Sequence, residues 1–185
     1  MIIDNAIIAY ADASGISYTI PENVDKISYG VFNGCTNIQN IVIGDNIIIL
    51  ENGAFSYCKN LQTATIGNSV NIIPASAFNY CKNLSTVTLG ENITYIDVSA
   101  FSDCDNLLQV YCKPAIPPKV YSWYVYPSNW CKVGSFPKNS SMKIFVPTES
   151  YDSYTNAEDS VLVDYASVSN WSDYADYIVG YDFSE

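Results

Sequence analysis

The side chains best equipped for chemistry are the six cysteines, and four of them, Cys35, Cys58, Cys81 and Cys104, recur every 23 residues. So many thiols suggest either a disulfide framework or a metal centre. Zinc ligands come in close pairs such as Cys-x2-Cys, commonly completed by histidine, and this chain has no histidine. Equivalent positions on successive turns of a repeat carry parallel Cα–Cβ vectors, which is poor geometry for a bridge. The spacing therefore predicts a buried ladder of unbridged thiols, cysteine being among the residues most often buried. Cys112 falls in a second apolar column, and Cys131 falls in none. Without histidine there is no Cys–His or Ser–His pair to activate a nucleophile. Neither a phosphate loop nor a dinucleotide fingerprint is present. Asp103 and Asp105 are a carboxylate pair, but calcium takes six or more oxygens, so they read as solvated charges. Asn83-Leu84-Ser85 matches a glycosylation sequon, at a position the repeat itself accounts for. No catalytic residue, metal site or cofactor is expected.

The elements that position these residues follow from the same period. Cut every 23 residues from Val24, the chain gives VDKISYGVFNGCTNIQNIVIGDN, IIILENGAFSYCKNLQTATIGNS, VNIIPASAFNYCKNLSTVTLGEN and ITYIDVSAFSDCDNLLQVYCKPA. Phe32, Phe55, Phe78 and Phe101 share one column; Asn37, Asn60, Asn83 and Asn106 share another. A fixed period in the range of roughly 20–29 residues, with Leu or Ile at set offsets, marks a leucine-rich-repeat solenoid. Thr63-Ala64-Thr65-Ile66 alternates out and in, as a short strand does. Gly44, Gly67 and Gly90 end these strands in what reads as turn chemistry. One coil cannot bury its own apolar side, so stacking is compulsory, and it builds a column of Phe rings beside a column of aliphatic side chains.

Composition narrows the partners. All eight basic residues are Lys, and the net charge is −11. Such a chain lacks the phosphate attraction that dominates nucleic-acid binding. No apolar run reaches the ~18 residues of a membrane helix. The start, MIIDNAIIAYADASG, is a poor signal peptide, with no basic region and with Asp4 inside the apolar run.

The pattern AFxxCxNL, a short strand, Gly and then V/IxxI, repeated at 23 over Val24 to Cys112, resembles the BspA-like leucine-rich repeat of bacterial surface proteins. The segment Lys143-Ile144-Phe145-Val146-Pro147, then Tyr154, then Trp171 to Tyr181 resembles that family's closing strand and terminal segment. The aromatic insert Tyr121 to Trp130 and the acidic insert Asn156 to Ser169 depart from it. The resemblance implies a β-rich leucine-rich-repeat solenoid, a right-handed superhelix of 23-residue coils with a short mixed α/β C-terminal cap. It also implies a non-enzymatic adhesion module at the cell surface or secreted, with a host or matrix protein as ligand.

The whole chain reads as one domain. Residues 1–23 form a half-coil cap, with Tyr18 set against Ile41 and Ile20 against Ile43; residues 24–115 form four repeats; residues 116–185 form the closing cap. In that cap, Val120 to Trp130 reads as a loop folded over the last coil, Met142 to Val146 as one more strand, and Ser150 to Tyr154 and Ser172 to Ile178 as short helices. The outward strand residues Asn40, Val42, Thr63, Thr65, Thr86, Thr88, Gln109 and Tyr111 are the expected protein-binding face. The alternative is carbohydrate recognition by Trp123, Tyr124, Tyr126 and Trp130, or a spacer that binds nothing. Neither nucleic-acid binding nor membrane insertion is expected, and the chain reads as a monomer.

Overall fold

A computed structural model of the chain describes residues 1–7, 17–125, 131–137, 139–155, 166–169 and 171–184, with only the backbone described at 121–125, 131–133, 166–169, 172 and 173. The coils carry four-residue strands at Asn40–Ile43, Thr63–Ile66, Thr86–Leu89 and Gln109–Cys112. Residues of equal rank pair in parallel: Ile41 with Ala64, Ala64 with Val87, Val87 with Val110. Every second side chain is buried, as a period of two demands of a sheet with one wet face. Ser17–Thr19 extends this sheet in front; Lys143–Pro147 and Ile178–Tyr181 extend it behind, making seven strands. The far side of each coil is a two-residue strand, Lys26–Ile27, Ile49–Leu50, Ile72–Ile73 or Tyr95–Ile96, and Ala6–Ile7 precedes them in register.

The core is the set of columns read from the period. Phe32, Phe55, Phe78 and Phe101 are fully buried, with ring centres 4.8, 5.2 and 5.3 Å apart and planes within 8° of parallel. The bend around each ring has its own ladder: the N–H groups of Phe32, Phe55 and Phe78 each donate to the next coil's Ala carbonyl at 2.8 Å. Two left-handed residues flank each Phe. One is Gly30, Gly53, Ser76 or Ser99; the other is Gly34, Tyr57, Tyr80 or Asp103, all with φ between 56° and 74°. This sharp double turn lets the chain reverse inside a few residues.

The thiol ladder has a specific cause. Cys58, Cys81 and Cys104 donate Sγ–H to the carbonyls of Phe32, Phe55 and Phe78, one coil back, at 3.0–3.1 Å. Each of those carbonyls also accepts the backbone N–H three residues on, Phe32 from Cys35 at 3.0 Å, so the thiol supplies the second bond that a carbonyl with two lone pairs can take. Cys35, Cys58, Cys81, Cys104 and Cys112, the cysteines whose side chains are described, are thiols. Burial, with the neighbouring ladder thiols, pushes the Cys81 thiol well above its ordinary range. The glycine column opens the expected turns, the Ile47 and Ile93 N–H groups donating to the Gly44 and Gly90 carbonyls at 3.1 and 3.4 Å, and it has a second reason. Gly44, Gly67 and Gly90 do not have left-handed φ. A Cβ at Gly90 would strike the Gly67 carbonyl, with its carbon at 2.6 Å, and one at Gly67 would meet the Gly44 carbonyl carbon at 2.8 Å. Adjacent coils approach too closely there for any side chain.

Three expectations change at the C-terminal end. First, among the described residues a fifth coil follows the four, since Val120, Phe136, Ile144 and Val146 continue the buried columns after Cys112. Ile144 pairs with Val110, 34 residues on instead of 23, so the insert hid this coil from a fixed period. Second, the stretch after Pro118 is not a loop over the open end. Lys119–Val125 is a seven-residue strand, parallel to Tyr95–Ile96 and flanked antiparallel by Cys131–Val133 and Ala166–Ser169. Its β-branched and aromatic residues, Val120, Tyr121, Trp123, Tyr124 and Val125, favour a strand, and the edge at Tyr95–Ile96 receives it. Third, the closing segment is a 3-10 turn Thr148–Ser150, a short helix Tyr151–Thr155, a 3-10 helix Trp171–Tyr177 and the strand Ile178–Tyr181, so the helical reading of Ile178 does not hold. Tyr154, Trp171 and Tyr174 seal the end of the core. Tyr154 donates its hydroxyl to the Pro114 carbonyl at 2.6 Å, and Trp171 Nε1 donates to the Pro118 carbonyl at 2.7 Å.

Candidate protein-binding face

All eight expected contact residues lie on the outer face of the seven-stranded sheet, in two lateral rows. One row is polar: Asn40, Thr63, Thr86 and Gln109, with Ser17 before and Lys143 after. Its side chains bond along the row, Thr63 Oγ1 to Asn40 Oδ1 at 2.7 Å and Asn40 Nδ2 to Ser17 Oγ at 3.3 Å. These bonds hold short side chains in place, so a partner meets a surface that is already ordered. The other row begins with Thr19 and runs Val42, Thr65, Thr88, Tyr111, Phe145 and Val179. Val42 is 42% exposed, Thr65 is exposed, and Thr88 and Tyr111 are half-buried.

Tyr111 is not the isolated ring that the repeat alone suggests. Phe145 stacks on it at 4.8 Å, and Tyr181 and Phe183 meet it edge-on at 5.5 and 6.4 Å. Tyr181 and Phe183 are themselves 5.0 Å apart. Sequence reasoning missed these three partners, because Phe145 stands in a coil displaced by the insert and the other two follow the last 3-10 helix. The signal for Phe145 was present in the alternation Lys143-Ile144-Phe145-Val146, which puts Phe145 outward. Beside the rings lies a cleft of about 520 Å³ bordered by Glu91, Lys113, Glu149 and Asp182. Lys113 Nζ sits 6.0 Å from the centre of the Phe183 ring. The Ser184 hydroxyl and N–H, 2.6 and 2.8 Å from Asp182 Oδ1, hold that carboxyl below its ordinary range and keep it charged.

The aromatic insert is placed only in part. Trp123 and Tyr124 lie in the strand Lys119–Val125, opposite Val133 and Lys132, while Tyr126 and Trp130 lie outside the described residues. So do residues 156–165 of the acidic insert. Among the described residues no cluster of three or more His, Cys, Asp or Glu is arranged to hold a metal, and no helix is long and apolar enough to cross a membrane.

Residues 6–123 match the model of the BspA type leucine rich repeat region, in six copies. The fold resembles a leucine rich cell surface protein from Faecalibacterium prausnitzii A2-165, with a TM-score of 0.56 and 21% identity over 80% of this chain and 32% of that one. A leucine-rich repeat protein from Bacteroides ovatus gives 0.52, with 20% identity over 71% and 30% of the two chains. The pneumococcal vaccine antigen PcpA gives 0.51, with 16% identity over 83% and 42%. The chain thus spans less than half the length of each of these proteins, and no curated protein matches it. The coil register, the Phe and Cys columns and the six matched copies lead to one conclusion: this chain belongs to the BspA-type leucine-rich-repeat family.

Proposed function

We propose that this chain is a non-catalytic binding module at the cell surface or in a secreted protein, and that it holds a protein partner on the outer face of its seven-stranded sheet. The observation that carries this reading is the cluster of Tyr111, Phe145, Tyr181 and Phe183, which ends an uncharged row of Val42, Thr65 and Thr88. Aromatic rings on an ordered, neutral surface are what binding hot spots are made of, and β-branched neighbours lose little entropy on being covered. The carboxylates of Glu91, Glu149 and Asp182 beside the rings favour a partner whose contact patch carries Lys or Arg, and the net charge of −11 steers such a partner inward.

The test is capture of extracellular-matrix and host-surface proteins on the intact chain, followed by affinity measurement with a purified hit. The variant carrying Thr65→Arg, Thr88→Arg and Tyr111→Ala should lose that binding, and raising salt should weaken binding by the parent. If the triple variant binds as tightly as the parent, the face is not the site, and the strand bearing Trp123 and Tyr124 becomes the place to look.

A further inference from the structure

The bend side of the first three coils carries a groove that neither the core nor the sheet face explains. It encloses about 400 Å³ and is lined by Tyr29, Asn33, Asn52, Tyr57, Ser76 and Asn79, among others, with no charged side chain in its lining. Tyr57 and Tyr80 occupy the left-handed position, at φ 60° and 59°, a conformation that costs an L-residue free energy and that Gly34 fills one coil earlier. Their rings add nothing to the core: they are 45% and 36% exposed and stack on each other at 4.9 Å. Lys82 Nζ also lies over the Tyr80 ring, 4.9 Å from its centre. The Tyr57 face turned toward the first coil has only Gly34 beside it in the column, and a Cβ built there would meet nothing within 4 Å. An exposed flat aromatic face thus overlooks an open seat.

The Ser56 hydroxyl in the groove's lining is committed to the Ser76 carbonyl at 2.6 Å, but three amides are not. Asn60 and Asn106 spend their amides on carbonyls one coil back, at 2.7 and 2.8 Å. The side-chain amides of Asn33, Asn52 and Asn79 make no hydrogen bond with the described residues and face the groove, each able both to donate and to accept. A ring face for stacking, neutral amides that match hydroxyls in both senses, and no charge together describe the needs of a sugar ring. We propose that this groove binds a neutral oligosaccharide, with one sugar ring seated on Tyr57 above Gly34 and its hydroxyls met by Asn33, Asn52 and Asn79. The site is separate from the sheet face and stands whether or not a protein binds there.

Two variants test it without endangering the fold. Tyr57→Gly removes the platform and relieves the left-handed backbone. Gly34→Asn fills the seat with the side chain that best tolerates that conformation. Isothermal titration of the intact chain with neutral oligomers of glucose, of mannose and of N-acetylglucosamine should show saturable binding to at least one. Each variant should weaken that binding at least about tenfold, the scale expected of a central contact. Tyr111→Ala should bind the sugar as the parent does, and Tyr57→Gly should melt no lower than the parent. The proposal is overturned if none of the three oligomers binds, if both variants bind as the parent does, or if Tyr111→Ala abolishes binding.

Discussion

At the scale of single residues, the core is a set of one-coil solutions repeated. Phe78 has a stacked ring on both sides, at 5.2 and 5.3 Å, and no exposed surface. Phe78→Ala should therefore cost about 3–5 kcal/mol in a urea melt, the usual penalty for emptying a buried aromatic site; a loss under ~1 kcal/mol would place the column at the surface. The thiols make a prediction about alkali. Burial pushes the Cys112 thiol up to about 12 from 9.0 and lifts Cys81 as well. The folded state thus keeps its protons where the unfolded chain gives them up. The stability these thiols contribute is complete below pH 9.0 and is lost as pH climbs from there toward about 12. Urea midpoints should fall across that window, and Cys112→Val should shallow the fall. In the native protein at pH 8, Cys58, Cys81 and Cys104 should resist iodoacetamide, reacting only after unfolding and without any reductant. Mass spectrometry finding bridges among them would contradict the hydrogen bonds to the Phe carbonyls.

At the scale of the coil, two columns constrain the backbone in opposite ways. Gly90→Ala adds one methyl where the Gly67 backbone stands, so it should destabilise by about 1–3 kcal/mol, as overpacking does. Ser99→Gly should do the reverse. Ser99 holds φ 56°, where an L-residue is strained, and glycine should raise stability by about 0.5–1 kcal/mol after its own entropy cost. Thermal melts of the pair separate a crowding column from a conformational one. This distinction also marks the limit of what the sequence discloses. Periodicity exposes any column whose chemistry repeats, so the Phe, Cys and Leu ladders and the outward Thr rows were legible before any coordinates. Ser76 and Tyr80 do not look like left-handed residues, because the strain is borne by whichever residue occupies the slot. Phe136 was invisible for a different reason: the residues that separate it from Phe101 break the count, though its ring lies 5.3 Å from Phe101 and 4° from parallel. The cluster around Tyr111 needed Tyr181 and Phe183, which share no period with it.

At the scale of the molecule, each coil touches only its neighbours, so protection should depend on how many neighbours it has. Amides in Thr63–Ile66 and Thr86–Leu89, with strands on both sides, should exchange more slowly than those in Ser17–Thr19 and Ile178–Tyr181 at the two edges of the sheet. Uniform exchange across all seven strands would instead mean a single cooperative unit. The fifth coil adds a different kind of consequence. It leaves the solenoid at Val120, paired with Ile96, and rejoins it at Ser135, whose carbonyl accepts the Phe101 N–H at 2.7 Å. Both ends of the detour are clamped by the fourth coil, and its two strands pair with each other as far as Val125 and Cys131. For the protein engineer this is a ready-made display port. A foreign epitope or affinity peptide exchanged for residues 126–130 would be held at both of its ends by the paired strands Lys119–Val125 and Cys131–Val133.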